Sequence, residues 1–242
     1  MKTLISSRWN CVLAVPVSAL LMGAGLLFSQ IASAQMTGSP HDFSAQAWSG
    51  GEICVVCHTP HNAYTETEAN AAAGETGPLW NRTLTAVTNY ATYASLTRVG
   101  SDLEASTTST IRATASGVSK LCLSCHDGTI AIDSFGRNLD NSLKTGTTFV
   151  GDINPNANIG EGSGVVGDLS NDHPVAFQFP TTDPEIADGS TGTVGGTLPL
   201  FGALNDQMEC ATCHDVHATG TTGKLLRVDN NGSGLCLTCH TK

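Results

Sequence analysis

Eight cysteines fall into four pairs with two residues between partners: Cys54/Cys57, Cys122/Cys125, Cys210/Cys213 and Cys236/Cys239. Each pair is followed at once by a histidine: His58, His126, His214 and His240. Histidine makes up only 8 of 242 residues, so a histidine after every pair is not an accident. On one helical turn, positions i, i+3 and i+4 point to the same side. Two thiols so placed can add to the two vinyl groups along one haem edge, and the following imidazole can reach the iron. This is the C-x-x-C-H attachment signature, and it predicts four covalent haem c groups.

Other chemistry at this spacing fits less well. Paired CxxC units can hold structural zinc, but zinc does not require a histidine after every second cysteine. Disulfides are open to an exported chain and leave the same histidines unexplained. A redox dithiol needs one CxxC on a βαβ scaffold, not four in loops.

Four further histidines match the four sites in number: His41, His61, His173 and His217. Methionine is the usual alternative sixth ligand. Beyond residue 34 only Met36 and Met208 are present, and Met208 is too close to Cys210 to cross over that haem. Bis-histidine ligation at all four irons is therefore expected. His61 and His217 each follow an attachment histidine by three residues, so each faces the same side and must serve a different, nearby haem. The expectation is His61 for the second site and His217 for the fourth. Eight ligands for eight axial positions leave no open iron, so an electron carrier is expected rather than an enzyme. Bis-histidine ligation in acidic surroundings favours low potentials.

The elements that must position these residues repeat. Each half reads spare histidine, CxxCHxxH, then CxxCH: His41, Cys54–His61 and Cys122–His126, followed by His173, Cys210–His217 and Cys236–His240. A duplicated dihaem unit is expected, with halves 35–145 and 146–242. Short helices are expected at the attachment sites and around Leu84 to Leu96. Residues 103–116 and 146–200 are rich in small and polar residues and read as irregular loops. Aromatic residues are 5% of the chain, too few for an ordinary core of this length. The predicted class is a multihaem cytochrome c, mostly coil with a few short α-helices wrapped around closely packed haems.

The first 34 residues read as a cleaved signal peptide. Lys2 and Arg8 precede an apolar run near Val12–Phe28, and Ala32-Ser33-Ala34 follows. Cys11 lies in this stretch and is set apart from the pairs. No later apolar run is long enough to span a bilayer. From residue 35 on, nine basic residues face 21 acidic ones, a formal charge of −12 with histidine neutral. That balance argues against nucleic acid, which requires clustered Lys and Arg. It suits basic redox proteins, metal ions or oxidised mineral surfaces. Export is expected, to the outer surface or beyond rather than the periplasm.

The chain resembles the doubled-CxxCH multihaem cytochromes, and among them the OmcE-type tetrahaem nanowire cytochromes. The resemblance rests on His41-Asp-Phe, Cys54-Val-Val-Cys-His-Thr-Pro-His-Asn, Pro78-Leu-Trp, Asp172-His173-Pro and Leu225-Leu-Arg. It implies a stacked haem chain in a homopolymer and an axial histidine supplied by a neighbouring subunit. His41, near the predicted new N-terminus, is the candidate for that role. A soluble periplasmic shuttle and, more remotely, a multihaem reductase are the alternatives.

Overall fold

A computed structural model describes residues 36–69, 77–87, 89–92, 109–110, 117–159, 167–181, 183–217 and 224–241. The expected signal peptide, with Cys11, lies outside them. Residues 35–242 form one unit.

Regular structure is sparse, as a chain rich in Gly, Thr, Ser and Asn dictates. Among the described residues the helices are α1 (Val118–His126), α2 (Val150–Ile153), α3 (Cys210–Cys213) and α4 (Gly234–Cys239). A 3-10 turn covers Cys54–Val56. Every CxxCH segment therefore lies on a helical turn, as its spacing requires. The best formed is α1, where Leu123 is fully buried and Ser119 and Ser124 face inward. Burying that leucine contributes about 1.5–3 kcal/mol. Gly128, at φ +73°, turns the chain away just beyond it. No described helix is long and apolar enough to cross a membrane.

The strands are two to four residues long. β1 (Asn89–Thr92) pairs antiparallel with β2 (Ser109–Thr110) and parallel with β3 (Asp168–Leu169), Ala91 facing Asp168. β4 (Phe177–Gln178) pairs with β7 (Gln207–Met208), and β5 (Thr193–Val194) with β6 (Leu198–Pro199). The β1/β3 pair joins chain from both sequence halves.

The segment from Leu84 is a correction. In place of a helix the chain runs as coil through Val87 and as strand over 89–92, while residues 88 and 93–96 of the expected helix lie outside the described residues. Val, Thr and Tyr favour the pleated form, and the fully buried Tyr90 ties the strand to α1, its hydroxyl donating to Asp127 Oδ2 at 2.6 Å.

Among the described residues the core consists of three small clusters, and each backs an attachment segment. Tyr64, Ala69, Trp80 and Leu84 pack against Cys57. Tyr90, Leu169 and Ala176 gather around Leu123, between Cys122 and Cys125. Phe179, Val194, Leu198, Leu200 and Met208 pack against Cys213, Leu235 and Cys239.

Candidate functional site

All eight described cysteines are free thiols. Burial pushes the Cys57 and Cys213 thiols up to about 11. No three His, Cys, Asp or Glu side chains among the described residues converge as a bare metal ion requires.

The histidines are instead brought together two by two. The rings of His41 and His126 lie 5.9 Å apart between centroids, those of His58 and His217 6.1 Å, and those of His173 and His240 6.4 Å. Metal–imidazole bonds are about 2 Å long and the ring centre lies about 1 Å further, so two imidazoles on opposite faces of one metal stand about 6 Å apart. Each pair joins one attachment histidine to one spare histidine. Both pairings of a spare with the second CxxCH of its own half follow the repeat: His41 with His126, His173 with His240. The pairing expected for His217 is corrected: it meets His58, not His240. His61 likewise does not meet His126. Among the described residues neither His61 nor His214 has a ring contact with another imidazole.

Backbone carbonyls orient the rings. His58 Nδ1–H donates to the Pro78 carbonyl at 2.7 Å, His126 to Ala157 at 2.6 Å and His214 to Lys224 at 2.9 Å. His173 makes the same bond to Pro174 at 2.9 Å. With Nδ1 so occupied, the lone pair sits on Nε2, the tautomer that binds a metal. His41 differs. Burial first, then the charges of His126 and His214, lower its pKa to about 4. It is thus neutral at pH 7, and its buried Nδ1 has no hydrogen-bond partner.

The first site of each half is built the same way. Thr59 N donates to Leu79 O at 2.9 Å, and Asp215 N to Leu225 O at 2.8 Å. Asn81 N donates to Cys57 O and Arg227 N to Cys213 O, both at 2.8 Å. The side chains of the same residues then cap the turn: Asn81 Nδ2 donates to Val55 O at 2.7 Å, Arg227 Nε to Ala211 O at 2.8 Å. Leu79 and Leu225 both carry positive φ, +55° and +56°. Pro78–Arg82 and Lys224–Val228 are therefore equivalent clamps. Of these, Pro78-Leu-Trp and Leu225-Leu-Arg carry the family resemblance in the sequence, which does not reveal the clamp; the equal two-residue offset from Leu79 to Asn81 and from Leu225 to Arg227 is the signal it holds.

A further contact joins the halves at their sites. Glu209, buried, accepts from Ser119 N at 3.1 Å and from Ser119 Oγ, and Cys210 N donates to that Oγ at 3.0 Å. This ties the start of α3 to the start of α1. The Cys122 thiol, hydrogen-bonded to Cys210 and buried, holds its proton well above the usual thiol range.

The doubled CXXCH motif family matches this chain over residues 202–242, which span α3, α4 and both attachment segments of the second half. The match supports a multihaem c-type cytochrome. No curated protein matches it. The residues present fit covalent haem c: paired thiols on helical turns, an imidazole next to each pair and, at three of the four, a second imidazole ring 5.9–6.4 Å away. Haem held at these sites would supply one-electron transfer chemistry. The chain's part is to tether, orient and enclose.

Proposed function

We propose that the cytochrome is a tetrahaem electron conduit in which every iron has two histidine ligands and copies assemble head to tail outside the cell. The pairing of His41/His126, His58/His217 and His173/His240 at 5.9–6.4 Å carries this reading. The cysteine pairs at 54/57, 122/125, 210/213 and 236/239 tether the haems. His58, His126, His214 and His240 are the near ligands, and His41, His61, His173 and His217 the far ones. His61 and His214 complete the count of eight.

Polymerisation follows from that remaining pair. His61 is exposed and so is His214. A His61 that serves His214 of the next copy makes a contact that repeats without closing, and a heterologous contact of that kind generates a filament. We therefore favour His61 for the in-trans role over His41, whose ring lies 5.9 Å from that of His126 of its own chain. Homopolymer contacts and external electron acceptors are then the partners, and the acidic surface favours basic redox proteins or oxidised minerals. With all eight axial positions filled by side chains, catalysis at iron has no vacant position, so the protein is a carrier and not an enzyme.

The deciding experiment is analytical ultracentrifugation and electron microscopy of the secreted holoprotein, with haem content and spin state measured on the same sample. Filaments with about four low-spin haems per chain are expected, by the motif count. A monomer with four low-spin haems would establish the soluble shuttle instead. Rapid carbon monoxide binding by the reduced protein would restore the enzyme reading.

A further inference from the structure

Arg82 is the most deeply buried charged side chain at the first site, 1% exposed. Its guanidinium donates to three backbone carbonyls: Val56 at 3.4 Å, Ile132 at 3.3 Å and Ala131 at 2.9 Å. Its Nε has no partner. Among the described residues no carboxylate pairs with it. The two other described arginines are both neutralised, Arg137 by Glu68 and Arg227 by Asp215, each at 2.7 Å. Carbonyl dipoles solvate a cation but do not cancel its charge, so a full positive charge remains in a low-dielectric interior.

The position of that charge is specific. Val56 lies inside the first attachment turn, one residue before Cys57, and Ala131 and Ile132 lie just beyond α1. Protein atoms alone cover the guanidinium, so it sits behind the turns and not on their open face. We propose that Arg82 is a fixed positive charge that raises the reduction potential of the first site, Cys54–His58, above that of the other three. The inference rests on the four-site reading above.

Two comparisons support it. Arg82 donates to Val56 O, one residue before Cys57, whereas its other two carbonyls lie five and six residues beyond His126. The residue directly after His126 is the fully buried carboxylate Asp127; the residue directly after His58 is the uncharged Thr59. The net effect therefore falls on the first site. In the second half the clamp equivalence places Val228 where Arg82 stands, so the third site lacks such a charge. Reduction there and here is the same event: one electron, from ferric to ferrous iron, with no bond made or broken and no proton required. A buried cation favours the state that carries the extra electron.

The test is a spectroelectrochemical titration of the holoprotein with dithionite, comparing the unaltered chain with Arg82→Met and Arg82→Lys. Arg82→Met should lower the highest-potential haem by at least about tenfold in its reduction equilibrium, ~59 mV for one electron. Arg82→Lys, which keeps the charge, should leave it in place. An unchanged potential in Arg82→Met, or an equal fall in both variants, overturns the proposal, the latter by showing that hydrogen bonding rather than charge is responsible. If Arg82→Met yields no folded holoprotein, the variant lacking Cys54 and Cys57 decides. Loss of the highest-potential wave supports the proposal, and loss of any other wave overturns it. Haem content separates the two readings: a ratio near two in the unaltered protein sinks the four-site function itself, whereas four haems with no Arg82 effect sinks only this inference.

Discussion

At the scale of single residues the ligand set is governed by short-range geometry. CxxCH is legible in sequence because one helical turn puts its three groups on one side, whatever the rest of the chain does. The choice of far ligand is not legible in that way. His41 and His126 lie 85 positions apart in sequence, yet their rings are 5.9 Å apart. Replacing His41 by Ala should leave haem content unchanged, because Cys122, Cys125 and His126 remain, and should convert one iron to high spin. Electron paramagnetic resonance of the oxidised protein reads this directly; four low-spin signals would refute the pairing. The polar contacts behind the sites are equally testable. Asp127 is fully buried and takes donors from Tyr90 at 2.6 Å and from Thr129 N at 2.8 Å and Thr129 Oγ1 at 2.6 Å. Tyr90→Phe leaves one carboxylate oxygen without its donor and should cost about 1–3 kcal/mol in denaturant unfolding of the holoprotein. A change below about 0.5 kcal/mol would mean that water replaces the hydroxyl.

At the scale of elements, the repeated object is a clamp and not a helix or hairpin. Each clamp places a leucine at positive φ so that the amide two residues further on can reach back to the second cysteine's carbonyl. Leucine in that conformation costs about 1–2 kcal/mol. Leu79 is 55% exposed and Leu225 only 7%, so the two should respond differently. Leu79→Gly relieves the backbone and loses little packing, and should be neutral or stabilising by up to about 1 kcal/mol; Leu79→Ile should destabilise by about 1–2 kcal/mol. Leu225→Gly gives up a buried side chain and should destabilise by about 2 kcal/mol or more. Thermal unfolding of the three variants side by side checks the order. The duplicated order of ligands was plain in the sequence. The clamps were not, because 20 residues separate His58 from Pro78 but only 10 separate His214 from Lys224. The strand at 89–92 was misread because its short run of Asn, Tyr, Ala and Thr has no periodicity that separates helix from strand; the tie from Tyr90 to Asp127 settles it.

At the scale of the whole molecule, the three clusters among the described residues are each too small to hold a chain of this length by themselves, which accords with the proposal that haem contributes much of the interior. A pyridine haemochrome assay should return about four haems per chain, and His61→Ala should keep all four while giving one high-spin iron and a sedimenting monomer. Filaments formed by that variant would refute the role given to His61. The irregular class was foreseeable from composition. What composition could not show is that the halves are not separate: β1 takes β3 as a parallel partner, and Ser119 reaches Glu209 across 90 residues. That cross-linking has a consequence in time. A chain made N-terminus first presents residues 54–57 and 122–125 before β3 or Glu209 has been made. The contacts of β1 with β3 and of Ser119 with Glu209 form only once the last third of the polypeptide has emerged, so under the function proposed above the first two CxxCH segments have that interval in which to receive haem.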